Sequence, residues 1–125
     1  LYNNPTPYSG VYPANINYYW IPGKRLTQAS HPIPSNKAII NANTVDLIWR
    51  EAYQATKHRV YASTQEQALL FETPEKQLII AEQSKSNIHT LRLDERKHYF
   101  WRVDALVDNR WIKGEVWNIL IQIKE

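Results

Sequence analysis

The sequence predicts an all-β domain from the period of its apolar residues and from the spacing of its apolar runs. In residues 44–50 the side chains of Val45, Leu47 and Trp49 share one face, as in a half-buried strand. Runs of this kind recur, separated by short polar breaks, at residues 44–50, 58–63, 77–81, 87–93, 98–107 and 115–123. Helical periodicity is confined to residues 65–71, so no crossover helices are available for a parallel sheet. This spacing is typical of a sandwich or a barrel.

The N-terminal part of the chain has a different composition. The first 36 residues hold six of the seven prolines, two of the three glycines and five of the eight tyrosines. Such a composition is typical of a linker with aromatic anchors. We therefore divide the chain into an extended segment at residues 1–32, which packs on the domain, and a β domain at residues 33–125. Because the first residue is Leu rather than Met, we expect the chain to be part of a longer protein.

The bulk composition indicates one globular domain. At 125 residues the chain can bury one core, and 43% hydrophobic with 22% charged residues differs from a disordered chain. The absence of Cys excludes disulfides and thiolate metal sites. No apolar run reaches the roughly 18 residues of a membrane helix, so we expect no membrane insertion. The formal charge of +3 arises from mostly interspersed acidic and basic residues, which predicts only weak attraction to polyanions.

Two local patterns are more specific than periodicity. Leu93 lies six residues before Tyr99, which begins a strand, and this spacing resembles the tyrosine corner of fibronectin type III domains. Four pieces also follow one another in an order similar to that family, at residues 47–49, 55–61, 99–104 and 111–117. The resemblance implies a two-sheet antiparallel immunoglobulin-like sandwich. It also implies a module of a large exported bacterial protein, of a kind better known for spacing other domains than for one activity.

The resemblance assigns the two faces of the strands. Tyr99, Trp101, Val103 and Ala105 then point inward. They meet an inward set from the other strands: Val45, Leu47, Trp49, Val60, Leu91, Leu93, Trp117, Ile119 and Ile121. The opposite face carries Arg59, Tyr61, Phe100, Arg102, Asp104, Asn118 and Leu120, and we refer to it as the outer face.

The outer face is one candidate for ligand binding. Tyr61, Phe100 and Arg102 could form a platform on which a sugar ring stacks while its hydroxyls bind the polar groups. The structural alternative is that these side chains pair across strands, or that the N-terminal segment covers them.

Two further candidates lie outside this face. Tyr18, Tyr19 and Trp20 stand close to Arg25 and could bind an acidic polysaccharide through stacking and charge-assisted hydrogen bonds. Their alternative role is to anchor the N-terminal segment. Trp111, in a polar hairpin at residues 107–114, is the third candidate, and packing within the turn is its alternative.

The sequence carries no motif for catalysis or for a cofactor. No pair of carboxyl groups is singled out, and the four His residues lack H-x-H or H-E-x-x-H spacing. Three glycines leave no phosphate-binding loop. Basic residues near residues 92–97 alternate with acidic ones, which argues against nucleic-acid binding. We therefore predict no catalytic residue, no metal site, no cofactor and no enzyme activity.

These observations predict a non-catalytic spacer, scaffold or interaction module of a secreted or cell-surface bacterial protein, one that can act on polysaccharide. Its expected partners are neighbouring domains of the parent protein and polysaccharide. The alternative is a carbohydrate-binding module that uses exposed aromatic residues. Self-association through an unpaired edge strand is a third hypothesis.

Overall fold

The computed structural model describes residues 21, 25–84, 86–92 and 98–122. These residues form nine strands, which in chain order are β1 (Ser30–Ile33), β2 (Ala38–Ile40), β3 (Thr44–Arg50), β4 (Lys57–Ser63), β5 (Ile79–Gln83), β6 (Ile88–Arg92), β7 (His98–Val107), β8 (Arg110–Ile112) and β9 (Val116–Ile121). Two short 3₁₀ helices, Glu66–Leu69 and Lys76–Leu78, lie in the connection between β4 and β5. The described part of the chain has no α-helix, and the predicted all-β class is confirmed.

The strands form two sheets, as predicted. One sheet has the order β1-β3-β6, and the other has the order β2-β9-β7-β4-β5 with β8 also paired to β7. Neighbouring strands are antiparallel except β2 and β9, which run parallel and align Ile39 with Leu120. The chain therefore changes sheets between β1 and β2. The sequence predicted neither β1 nor β2, and it did not predict the parallel pairing of β2 with β9.

The longer strands agree closely with the sequence analysis. β3 and β7 have the predicted bounds, and the helical turn predicted at residues 65–71 is the first 3₁₀ helix. The strand predicted at residues 77–81 begins later, as β5, because the second 3₁₀ helix occupies its first two positions. The boundary placed between residues 32 and 33 falls inside β1, and Ala29 is already part of the core.

Alternate residues of β3, β4, β7 and β9 fill the space between the sheets. The buried cluster consists of Ala29, Leu47, Trp49, Val60, Trp101, Val103, Trp117, Ile119 and Ile121. The rings of Trp101 and Trp117 meet edge to face, with centroids 4.8 Å apart and planes inclined at 64°. The predicted inward faces of β3, β7 and β9 are thus confirmed, whereas Leu93 lies outside the described residues.

A two-residue turn joins β7 to β8, since Val107 pairs with Arg110. Asp108 and Asn109 have φ angles of 52° and 63°. Two consecutive positive φ values are characteristic of a type I′ turn, in which Asp and Asn are favoured among residues other than glycine. This turn returns the chain along β7 and places Trp111 on the edge of the sheet, opposite Leu106.

The chain breaks its pairing between β8 and β9. β8 pairs with the second half of β7 and β9 with its first half, so residues 113–115 bridge the two registers. Here Gly114 lies so close to β7 that a Cβ atom on it would be 2.0 Å from the carbonyl oxygen of Val103. Its backbone N–H donates to Oδ1 of Asp104 at 2.9 Å. The close approach of two backbones requires glycine at this position.

We expect Gly114→Ala to lower the free energy of unfolding by about 3 kcal/mol or more, because the added methyl group must displace backbone rather than a flexible side chain. Urea denaturation followed by tryptophan fluorescence measures the loss. The control is Glu115→Ala at the exposed neighbouring position, which should change stability by no more than about 0.5 kcal/mol. Equal stability of the two variants would contradict the close approach.

Candidate functional site

The outer face, which the sequence analysis considered as a binding platform, is covered at its centre. Residues 64–78 fold back over it, and Leu69 of the first 3₁₀ helix is fully buried beneath them. As a result Tyr61 is only 1% exposed and Arg102 is 0% exposed. The described cover is thus the connection between β4 and β5, whereas the sequence analysis had considered the N-terminal segment for this role.

Arg102 holds this covering connection in place. Its Nε and one Nη atom donate to the two carboxylate oxygens of Asp104, at 2.8 and 2.9 Å. Its Nη atoms also donate to the carbonyl oxygens of Leu69 at 2.9 Å, Glu72 at 2.8 Å and Phe71. A guanidinium group has five N–H donors, and these five bonds use all of them. Arg102 therefore has no donor left for a ligand.

A second cation acts on the same stretch of backbone. Lys113, just after β8, donates from Nζ to the carbonyl oxygen of Leu70 at 3.2 Å. All four carbonyl groups of residues 69–72 thus accept hydrogen bonds from cationic side chains. The backbone is fixed from below, while the side chains of Leu70 and Phe71 are 51% and 63% exposed.

A small pocket of about 70 Å³ lies beside Arg102 at the edge of the cover. It is lined by Arg59, Tyr61, Glu72, Thr73, Asp104, Trp111 and Lys113. The guanidinium carbon of Arg59 is 4.0 Å from the centroid of the Trp111 ring, and its Nε donates to Glu82 at 2.6 Å. Burial alone would lower the pKa of Arg59, but its hydrogen bonds to Tyr61 and Glu82 raise that pKa above its usual value. The pocket therefore has a fixed cation and an aromatic ring in its wall.

A larger groove of about 730 Å³ is open to solvent next to Leu70. It lies between the connection from β1 to β2, which contributes Asn36, and the bridge between β8 and β9. Glu66, Lys113 and Glu115 also line it, so its polar groups carry both signs of charge. Such an open surface suits contact with another macromolecule better than enclosure of a small substrate.

The predicted site residues are distributed as follows. Tyr61 and Trp111 meet at the small pocket, and Arg102 is buried beside it. Phe100 is half-buried, with its ring centroid 5.9 Å from that of His98. Arg25 lies with its guanidinium carbon 5.9 Å from the ring centroid of Tyr53, in the connection between β3 and β4. The described chain does not include Tyr18, Tyr19 and Trp20, and their proposed roles stay predictions.

Buried polar groups also gather where β3 ends and β4 begins. His58 is 1% exposed, and its Nε2 accepts a hydrogen bond from the backbone N–H of Ala52 at 3.2 Å. Burial lowers the pKa of His58 to about 4, because the protonated ring would lose its hydration. Accepting through Nε2 also requires the proton to sit on Nδ1. His58 is therefore a neutral core residue at pH 7.

The described part of the chain presents neither a cluster of metal ligands nor a membrane-spanning helix. Residues 21, 25–84, 86–92 and 98–122 bring no group of three or more His, Asp or Glu side chains into the arrangement of a metal site. In the described ranges, no helix has the length and hydropathy to cross a bilayer.

Comparisons with known proteins agree on the fold alone. No protein-family model matches the sequence, and no curated protein matches it. In three dimensions the chain is similar to an Fn3-like protein from Clostridium thermocellum, with a TM-score of 0.55 and 18% identity over 82% of this chain and 97% of that one. The chain has a fibronectin type III-like fold. It is also similar, with a TM-score of 0.44 and 14% identity over 78% of this chain and 94% of the other, to CopC from Methylosinus trichosporium OB3b.

In this fibronectin type III-like sandwich, the candidate list from the sequence omitted Arg59 and Lys113. The sequence puts Arg59 on the outer face two residues before Tyr61, and this spacing was the available signal that both belong to one site. No pattern in the sequence indicated that Lys113 lies at this site, because its position depends on the break in pairing between β8 and β9. The cover was signalled only by the apolar run at residues 68–71, which the sequence analysis took as a helical turn.

We expect Arg102→Met to lower the free energy of unfolding by about 3–5 kcal/mol, because the substitution leaves Asp104 buried without its counter-ion. Urea denaturation measures this loss. Lys57→Met is the matched control, since Lys57 forms a long, partly exposed ion pair with Glu82 at 3.8 Å and should contribute less than about 1 kcal/mol.

The hydrogen bonds from Arg102 to the backbone of residues 69–72 act as a clamp on the connection between β4 and β5. Local amide exchange distinguishes loss of this clamp from a general loss of stability. Amide hydrogen exchange of residues 69–72 should accelerate in Arg102→Met under conditions where the rest of the sandwich stays folded. Unchanged exchange there would contradict the clamp.

We expect stability to fall as the pH drops from 6.5 towards 4, because the unfolded chain protonates His58 while the folded chain resists it. A shift from 6.5 to about 4 corresponds to roughly 3 kcal/mol, fully present above pH 6.5. Urea midpoints at several pH values test this. His58→Gln keeps an acceptor for Ala52 and should show a smaller loss than the parent, whereas His98→Gln, at an exposed strand end, should show the parent's loss. Identical profiles for all three proteins would contradict it.

Proposed function

We propose that this chain is a non-catalytic structural module that holds neighbouring domains of a larger exported bacterial protein in a fixed geometry. One observation carries the proposal. The residues that most resembled a ligand-binding set, Arg102 and Asp104 on the outer face, are buried and bonded to the chain's own backbone. The hydrogen-bonding groups of these two residues hold the connection between β4 and β5 and the bridge between β8 and β9, so they are not available to a ligand. The exported bacterial setting is supported by the sequence resemblance.

The contact surface for a neighbouring domain is the pair Leu70 and Phe71. Both are large apolar side chains exposed by half or more, and both extend from a backbone that four hydrogen bonds fix. Because the backbone is ordered beforehand, a partner that covers these side chains loses little additional conformational entropy. The open groove that Leu70 borders extends the same surface. Contacts of this kind are typical of interfaces between domains of one chain.

The alternative, a carbohydrate-binding module, needs aromatic rings that are open to a sugar. Tyr61 of the outer face is buried, and one face of the Trp111 ring beside it is occupied by Arg59. These two described rings therefore form no flat stacking platform for a neutral sugar. The alternative retains Tyr18, Tyr19 and Trp20, which the described ranges do not include.

Neutral polysaccharides separate the two hypotheses. We expect the chain to migrate through native gels containing soluble β-glucan, xylan or starch at the same rate as through a gel without polymer, because stacking platforms are covered. Trp20→Ala and Trp111→Ala should migrate in the same way as the parent. Retardation of the parent that Trp20→Ala or Trp111→Ala removes would contradict the structural role and favour the carbohydrate-binding alternative.

A further inference from the structure

We propose that the small pocket beside Trp111 is a subsite for one carboxylate group of an acidic polysaccharide, such as a polymer of uronic acids. The inference does not depend on the structural role of the module. It arises from two cationic side chains that meet in one pocket of about 70 Å³, Arg59 and Lys113, each fixed by other contacts.

Arg59 is held so that part of its hydrogen-bonding edge remains available. Trp111 occupies one face of the guanidinium group, and stacking of this kind leaves the in-plane donors accessible. Glu82 accepts from Nε at 2.6 Å, and Tyr61 bonds to the same side chain. Nε is thus used by Glu82, and the two Nη groups carry the donors that can serve an anion. Since the group is already ordered, binding costs little side-chain entropy.

Lys113 supplies the second cation in the lining of the pocket. The ammonium group of Lys113 donates to the carbonyl oxygen of Leu70. This bond uses one of the three N–H donors of the ammonium group. The Gly114 N–H bond to Asp104 fixes the backbone beside it. A carboxylate between Arg59 and Lys113 could accept from both, and hydrogen bonds between charged groups are roughly twice as strong as neutral ones.

The carboxylates beside the pocket are more fully paired than its cations. The lining carries two cations, Arg59 and Lys113, and two carboxylates, Glu72 and Asp104, so its formal charge is zero. The carboxylate of Asp104 is neutralised by Arg102, and that of Glu82 is held by Arg59 and Lys57. Among the residues that line this pocket, Glu72 is the carboxylate that still opposes a bound anion, and it is solvent-exposed, where water screens its repulsion.

The size of the pocket selects the part of the ligand that enters. Its volume is about 70 Å³, against about 730 Å³ for the open groove, so we place the carboxylate inside the pocket and the sugar ring outside it. Because Arg59 occupies one face of the Trp111 ring, the C–H groups of the sugar contact the part of half-buried Trp111 that is still exposed at the mouth. This combination favours a sugar acid over an acidic peptide, whose carboxylates lie on flexible side chains without a flat apolar face.

The test is an NMR titration of the full chain with trigalacturonate at low ionic strength. We expect shifts of the Trp111 indole N–H and of the amides of Lys113 and Gly114, which weaken as salt is added. Fully methyl-esterified trigalacturonate should cause none of these shifts, because esterification removes the charge and keeps the ring.

Variants assign the binding to the two cations. Arg59→Gln and Lys113→Gln should each weaken trigalacturonate binding by about fivefold, the size of a partly exposed charge pair. Lys76→Gln, in the second 3₁₀ helix and outside the pocket lining, is the control and should bind as the parent does. Because the ammonium group of Lys113 makes only an exposed hydrogen bond, Lys113→Gln keeps the test decisive if Arg59→Gln fails to fold.

Three results would overturn the subsite. These are absence of shifts at the pocket, equal binding by the methyl ester, and unchanged binding in both Gln variants. Equal shifts with triglutamate or with sulfate would also overturn it, since they would indicate nonspecific anion attraction. Failure here leaves the structural role untouched, because that role is contradicted only by binding of neutral polysaccharides.

Discussion

The buried ion pair of Arg102 and Asp104 is the interaction on which the outer half of this structure depends. Removing two charges from water costs several kcal/mol per ion, and only excellent geometry with further hydrogen bonds offsets that cost. Here all five guanidinium donors are used, and Asp104 also accepts from the N–H of Gly114. The pair therefore fixes the connection from β4 to β5 on one side and the break between β8 and β9 on the other. A hydrophobic pair of the same volume could fill the space, but it could not satisfy these backbone groups.

The connection at residues 64–78 turns the centre of the outer face from an exposed surface into a buried one. Without residues 64–78, the sheet of β4, β7 and β9 would expose aromatic and bidentate polar groups in the manner of a sugar-binding platform. With them in place, the centre of the face becomes a second, smaller interior that contains Leu69, Tyr61 and Arg102. What remains exposed is the surface of the cover, with Leu70 and Phe71, and the small pocket at its edge. Both features depend on the same ion pair, because Arg102 holds the backbone carbonyl groups of residues 69, 71 and 72.

The sandwich could be predicted from the sequence, whereas the connection that covers its outer face could not. The reason is the distance along the chain between the residues that interact. Alternation along β3 and β7 is local, and each strand buries one face, so bounds and inward residues such as Trp49 and Trp101 could be predicted. The strands β1 and β2 are short, and β1 contains Pro32, so their pairing is set by the sheets that receive them. The cover depends on contacts between Arg102 and residues about 30 positions earlier, which no local pattern encodes. Arg102 and Asp104 looked like ligand-binding groups because such groups and a buried clamp use the same residue types.

The same reasoning explains why the small pocket lies where it does. Asp104 faces Arg102 on one side, and its bond to Gly114 draws the chain inward just after Lys113. Lys113 is thereby held near both the carbonyl oxygen of Leu70 and the edge of Arg59 and Trp111. The cations of the pocket are therefore positioned by the clamp without taking part in it. Arg102 and Asp104 neutralise each other at short range. Arg59 and Lys113, at the edge of this pair, have N–H donors left for solvent or for an anion. A buried polar network that stabilises a fold can in this way leave a binding site at its boundary, because the polar groups there are not all hydrogen-bonded within the protein.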